Sequence, residues 1–272
     1  MQVSEMYNEC VRALKNFADS ARFKGAVIGL SGGIDSSVVA CMCTHAFGAE
    51  NVLGIMLPGP YSTEHSLDDA KELASNLGIE VHKVSISETF ATFKNTLANT
   101  NLPALNNTAI ENTQARIRMV VLMALSNATG KMLVNTGNKS EAMMGYSTLY
   151  GDTAGAFAPI GGLYKTSVFK VARFINRSFQ ENGKCAPIPG HVLVKPPSAE
   201  LSSGQTDEAS LGISYELLDK ILVAYFEHGK PKEWLVGNGF SEKDVSYVLE
   251  TASKTNFKRA MEPPFPKAKF YQ

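Results

Sequence analysis

The run Ser31–Ser37 reads SGGIDSS, directly after the apolar stretch Ala26–Leu30 and before a second apolar stretch that begins at Val38. A strand that turns through Ser-Gly-Gly into a helix leaves backbone N–H groups unpaired at the helix N-terminus, where the helix dipole adds positive potential. Gly32 and Gly33 let an anion approach the backbone closely, and Ser31, Ser36 and Ser37 add hydroxyl donors. This is the chemistry of a phosphate cradle, but it lacks the Gly-Lys-[Ser/Thr] ending of a Walker loop. An aspartate, Asp35, stands there instead. A carboxylate beside phosphates suits a hard divalent cation, with Mg²⁺ the fitting ion. The alternative is a tight strand-to-helix turn in which Asp35 is an N-terminal capping carboxylate, a reading that the full SGGIDSS string makes the lesser one.

Further residues able to do chemistry are spread along the chain: Arg116 in "ENTQARIRM", Thr136 and Glu141 in "NTGNKSE", Asp152 in "GYSTLYGD", Lys165, Ser198 in "KPPSAEL", and Phe257 and Lys258 in "FKRAMEPP". By residue type alone each has an ordinary explanation. Glu141 suits a solvated helix, Asp152 a turn after Gly151, and Arg116 a structural ion pair on a helix whose Ile117, Val120, Val121 and Leu125 read as core-facing.

The elements that must bring these residues together follow from apolar spacing. Positions 3, 6, 7, 11, 14, 17, 18 and 21 recur at helical intervals. Apolar runs at Ala26–Leu30, Val52–Leu57, Val81–Ile86 and Met132–Val134 read as strands. Helices are predicted near Asp35–Phe47, Ser66–Leu77, Glu88–Leu97, Ile110–Ala128, Ser167–Gln180, Tyr215–His228 and Glu242–Ser253. Strands alternating with helices predict an α/β fold, an open, doubly wound parallel sheet followed by C-terminal helices. The polar stretches SGGIDSS, PGPYSTEHS, SISET and NTGNKSE each follow a strand, so all four meet at the carboxyl edge of the sheet. Beyond Gly145 a Gly-, Ala- and Thr-rich segment reads as irregular or mobile, a lid over the crevice. Pro187–Asp207, with four prolines, reads as a long functional loop.

Composition narrows the class. Lys+Arg and Asp+Glu balance at 26 each, without the basic surplus of a nucleic-acid-binding protein. No apolar stretch is long enough for a membrane span, and the N-terminus does not read as a secretory signal. Cys10, Cys41, Cys43 and Cys185 lack metal or disulfide spacing and read as thiols of a reducing, cytoplasmic compartment. The five histidines show no metal spacing, and His65 reads as a surface residue.

The SGGxDS loop resembles that of the N-type ATP pyrophosphatases, whose fold is the Rossmann-like adenine nucleotide α-hydrolase type. With "QTDE" and the motifs quoted above, in order along the chain, the sequence resembles the NAD synthetases. That resemblance implies ATP-dependent amidation of deamido-NAD to NAD through an adenylate, releasing pyrophosphate and AMP. It assigns ATP to Gly29, Leu30, Ser31, Gly32, Gly33, Ile34, Asp35, Ser36, Thr136, Lys165 and Ser198. It assigns Mg²⁺ to Asp35 and Glu141, and deamido-NAD to Arg116, Phe257 and Lys258. Catalysis falls to Asp35, Glu141, Lys165 and Asp152, the last beside the reacting centre; Asp207 and Glu208 would order the loop.

Two departures bear on the nitrogen donor. Some ammonia-using members carry a lysine and an aspartate where this chain has Leu149 and Ala156, and "TLYGD" followed by "GAFA" is more similar to the synthetase portion of glutamine-dependent members. Those members carry an N-terminal amidase domain, and thirty residues before Ser31 give no room for one. The expectation is therefore a single synthetase domain over residues 1–272, using ammonia taken free or from a separate glutaminase chain. The resemblance also implies a homodimer, with Met119, Val120 and Met123 as contact residues. An RNA-modifying pyrophosphatase and a non-catalytic nucleotide sensor are the rival readings.

Overall fold

The N-terminal periodicity becomes helix α1 (Val3–Ser20), which buries Met6, Tyr7, Cys10, Val11, Leu14 and Ala18 along one face. A computed structural model describes all residues, 1–272. The chain continues through β1 (Ala26–Gly29), α2 (Ile34–Phe47), β2 (Val52–Met56), α3 (Glu64–Leu77), β3 (Glu80–Lys83), α4 (Ser87–Ala98), α5 (Asn107–Thr129) and β4 (Met132–Leu133). All four strands are parallel, in the order β3-β2-β1-β4, and Ala26 pairs with both Val52 and Met132. The chain runs outward from β1 through β2 to β3, then crosses back to β4 on the other side of β1. The strand order therefore reverses between β1 and β4, and a crevice opens at their carboxyl ends.

Alternation along each strand divides the core. Ala26, Ile28, Val52, Met56 and Met132 face α1, α2 and α3 in the larger cluster. Val27, Leu53, Ile55 and Leu133 face the other way, against Leu122 of α5. Helix α2 is apolar on nearly every side because it is packed between the sheet and its neighbours. On the other face α5 is covered on one side only. Ile117, Val121 and Leu125 pack against the sheet, but Val120, expected to face the core, is 69% exposed.

The remaining helices are α6 (Lys139–Met144), α7 (Lys165–Glu181), α8 (Asp207–Leu211), α9 (Tyr215–Leu222), α10 (Lys232–Gly237), α11 (Glu242–Lys254) and α12 (Asn256–Arg259). α9, α11 and Tyr164 form the centre of a second apolar cluster. Four helices, not two, follow Ile213, and α9 passes into a wider π turn over Val223–Glu227 before His228. The short helices α6, α8, α10 and α12 span too few residues for a period to register.

The glycine-rich segment after Gly145 differs most from expectation. Val134 forms a parallel bridge with Phe157, and Phe157, Ile160, Leu163 and Tyr164 are all buried. Its glycines serve close packing rather than motion: a Cβ on Gly155 would lie 2.9 Å from that of Asn135, and one on Gly162 would lie 2.7 Å from the Phe270 ring. From Phe157 onward the segment is core, not lid.

Candidate active site

The Ser31–Ser37 turn forms where the sequence places it, between β1 and α2. Gly33 is the N-cap of α2 and brings no side chain, whereas Thr63, Asn106, Asn138, Thr206, Ser214 and Ser241 each cap their own helix. The first amides of α2 are therefore left for a ligand. Gly32 adopts φ +73°, and a Cβ there would fall 2.1 Å from the Ser66 carbonyl oxygen. The serines are committed within the turn: Gly33 N donates to Ser31 Oγ (3.1 Å), while Ser36 and Ser37 donate to the Gly33 carbonyl (3.1 and 2.8 Å). Leu30 and Ile34 bury their side chains, so only their backbones can serve a nucleotide, and Gly29 lies against Leu122.

Asp35, in the first turn of α2, does not cap it. Its Oδ1 accepts from Asn138 Nδ2 (3.1 Å) and its Oδ2 from Lys165 Nζ (2.6 Å). The same ammonium donates to Glu141 Oε1 (2.9 Å) and stands 3.8 Å from Asp207 Oδ2. Lys165 is fully buried at the start of α7. That end of α7 is fixed across the chain: Lys165 N donates to Ser140 Oγ (2.8 Å) and Thr166 N to Asp219 Oδ2 (2.8 Å). Tyr215 OH completes the cluster, donating to Asp207 Oδ2 at 3.1 Å.

Three carboxylates thus surround one ammonium. Burial pushes Glu141 up to about 7 against the opposing pull of Lys165, and burial raises Asp207 too. Burial would lower Lys165, but Asp35, Glu141 and Asp207 overcome it and hold the ammonium well above its ordinary range. Asp207 Oδ1 is buried without any hydrogen-bond partner. Two carboxylates converging on one ammonium, with the Asp207 carboxylate 3.8 Å from it, supply hard oxygen donors that fit a divalent cation such as magnesium.

A second group forms where α5 meets the turn at 148–152. Arg116 Nε donates to the Leu149 carbonyl (3.1 Å), and Thr148 N donates to Asp152 Oδ1 (2.7 Å). Lys258 Nζ reaches the Gly145 and Ser147 carbonyls (2.7 and 2.6 Å). The Asp152 side chain reaches the surface yet lies among closely packed protein atoms. That crowding raises it to about 6, against the lowering effects of the Thr148 amide, Lys258, Arg118 and Arg116. Phe257 stands out at 61% exposed on α12.

The loop 187–207 is strapped to α3. Glu200 accepts from Thr63 and from Ser66 Oγ (2.6 Å), while Lys195 donates to Asp69 (2.7 Å). This brings Ser198 and Lys195 to a small cleft, about 60 Å³, shared with Ser31, Gly33 and Ser66. A larger cleft, about 560 Å³ between Glu72, Arg177 and Leu193, contains none of these groups. Chemistry rather than size therefore identifies the site.

Among the sequence-assigned residues, Asp35, Glu141 and Lys165 meet directly. Ser198 joins the phosphate turn, and Thr136 lies half-buried in the loop between β4 and α6. Arg116, Asp152 and Lys258 gather as a separate group. Sequence reasoning missed Asn138, Tyr215 and Glu200. Asn138 had a signal, since an asparagine three residues before Glu141 suits a helix cap. No helix in the chain is long and apolar enough to cross a membrane, and all four cysteines are free.

The NAD synthase family pattern matches residues 6–262. The chain is 44% identical over 255 residues to a glutamine-dependent NAD(+) synthetase of Thermotoga maritima, covering 94% of this chain but 43% of that protein. It thus spans about half the length of the curated glutamine-dependent relatives. It is 37% identical to an NH(3)-dependent NAD(+) synthetase of Wolinella succinogenes, covering 96% of this chain and 95% of that one. In three dimensions it is similar to an NMN synthetase from Francisella tularensis, with TM-score 0.79, 28% identity, and coverage of 95% and 96%. The chain belongs to the NAD synthase family.

Proposed function

We propose that this chain converts deamido-NAD to NAD using ATP and ammonia. One observation carries the reading: Asp35, Glu141 and Lys165 converge beside the uncapped start of α2, at the crevice where the strand order reverses. The nicotinate carboxylate oxygen attacks the α-phosphorus of ATP, the α–β phosphoanhydride bond breaks, and pyrophosphate leaves. Ammonia then attacks the acyl carbon of the adenylate, AMP leaves, and a proton is lost.

The chain's own groups supply binding and charge. The free amides of α2, the backbone of Gly29–Ser36, Thr136 and Ser198 hold the nucleotide. Lys165 stabilises negative charge as pyrophosphate departs. Asp35 and Glu141 would hold magnesium, which when bound neutralises phosphate charge and polarises the α-phosphorus. Arg116, Lys258 and Phe257 hold the dinucleotide. Asp152, raised to about 6, is a carboxylate near neutral pH and can orient ammonium or accept its proton.

The similarity to a full-length NH(3)-dependent relative favours ammonia as donor, free or handed over by a separate glutaminase. We place the chain in the cytoplasm and assign it a homodimer through the exposed side of α5. The fold similarity to an NMN synthetase makes a nicotinate mononucleotide the competing acceptor. The test is to incubate protein, ATP and Mg²⁺ with either acid acceptor and either ammonium or glutamine, then resolve products by chromatography. NAD formed from deamido-NAD and ammonium, with one AMP per NAD, is expected. Amide formed only from the mononucleotide would transfer the reading to that acceptor. ATP bound but never cleaved would overturn it in favour of a sensor. Asp35→Asn and Glu141→Gln should each slow NAD formation on the order of 10²–10³-fold.

A further inference from the structure

The position that a divalent cation would take between Asp35 and Glu141 is filled by a side chain of the protein itself. Lys165 Nζ lies 2.6 Å from one carboxylate and 2.9 Å from the other. An ammonium carries three donor protons, and these contacts use two. The third faces Asp207, whose Oδ2 is 3.8 Å away, inside ion-pair range but beyond a hydrogen bond. Asp207 is 4% exposed, its Oδ2 is held by Tyr215 OH, and its Oδ1 has no partner. The Oδ2 nearest the ammonium accepts one hydrogen bond, and a carboxylate oxygen has room for a second. Asp207 therefore keeps an acceptor in reserve.

We propose that Lys165 is a place-holder for the metal and that Asp207 is the positioning residue that receives it. Without nucleotide, the ammonium occupies one oxygen of each carboxylate and blocks a free divalent ion. With metal and nucleotide both bound, Asp35 and Glu141 would hold the ion, and Lys165 would shift toward Asp207 with its other donor protons left for the phosphates. A displacement of about 1 Å brings that pair into hydrogen-bond range. A monovalent and a divalent cation cannot share one small carboxylate site without strong repulsion. Metal entry is thus coupled to nucleotide entry, because only phosphate oxygens offset the displacement. Asp207 sits at the start of α8, directly after the loop strapped to α3. The acceptor for Lys165 thus belongs to the same stretch that carries Ser198 to the phosphate turn.

The inference rests on the magnesium role proposed above for Asp35 and Glu141. Its test is Mn²⁺ titration followed by electron paramagnetic resonance of the free ion, with and without α,β-methylene-ATP, on full-length protein. Wild type should bind Mn²⁺ weakly alone and at least tenfold more tightly with the analogue. Lys165→Gln should bind Mn²⁺ without nucleotide at least tenfold more tightly than wild type. Adding Asp35→Asn should abolish that gain. Asp207→Asn should leave nucleotide-free binding weak but weaken Mn²⁺ binding in the presence of analogue about tenfold, and Asp207→Glu should restore part of it. Melting curves report whether each variant is folded; should Lys165→Gln not fold, the Asp207 pair carries the test. Nucleotide-free binding unchanged in folded Lys165→Gln, or analogue-dependent binding unchanged in Asp207→Asn, would overturn the inference. Analogue-dependent binding unaffected by Asp35→Asn would instead overturn the magnesium reading beneath it.

Discussion

At the residue scale, the site is governed by an imbalance of charge. Three carboxylates face one ammonium, and burial prevents water from screening the excess. Glu141 is held near 7 and Asp152 near 6, and Glu262 is also pushed up to about 7 by burial. Each folded-state value lies above the ordinary carboxyl value. Protonated forms are thus favoured by the folded chain, and their stabilising effect is complete below about pH 4. It is lost as pH rises through about 6 to 7. Thermal unfolding of the nucleotide-free protein, followed by circular dichroism, should therefore show a melting temperature that falls between pH 5 and 7.5. Glu141→Gln should flatten part of that slope; an equal slope in the variant would remove Glu141 as a source. Nucleotide with Mg²⁺ should bind more tightly as Glu141 ionises, so the two trends run in opposite directions.

At the element scale, the decisive contact is the phosphate turn against the start of α3. Gly32 combines a left-handed backbone with a clash that no side chain escapes, because the obstructing atom is the Ser66 carbonyl oxygen. Gly32→Ala should cost about 1–3 kcal/mol of stability. It should also abolish nucleotide binding measured by calorimetry, since the turn must open. Glu200 holds the same helix start, accepting from Thr63 and Ser66. Glu200→Ala should free the 187–207 loop and speed its cleavage in limited proteolysis, with the protein still folded. The same treatment should leave Phe157–Tyr164 uncut, because those residues are core.

At the scale of the whole molecule, the two sides of the sheet are unequally covered. The larger cluster lies under α1, α2, α3 and α7, whereas α5 alone spans most of the opposite face. Its outer side leaves Val120 at 69% and Met123 at 39% exposed. The proposed homodimer would cover them. Val120→Asp combined with Met123→Glu should shift sedimentation from dimer to monomer and leave the circular dichroism spectrum unchanged, because neither side chain supports the core. A wild-type monomer at micromolar concentration would remove the dimer from the proposal. Arg116 is on this helix, so loss of the dimer should also raise the KM for the dinucleotide.

The sequence by itself determined the alternation of strand and helix, the phosphate turn after β1 and the identity of most groups in the site. These are local properties: apolar period, glycine placement and the short strings around Asp35 and Glu141 are all written within a few residues. It also marked Lys165 and Asp207 as significant, but not as neighbours. Tertiary structure alone decided that they meet, because Lys165 of α7 and Asp207 of α8 lie 42 residues apart in the chain, and Asp35 of α2 lies 130 residues before Lys165. It also decided that the glycine-rich segment is core and that Val120 faces outward. Burial depends on what packs against a residue, and a chain read in one dimension shows each residue's preferences but not its neighbours.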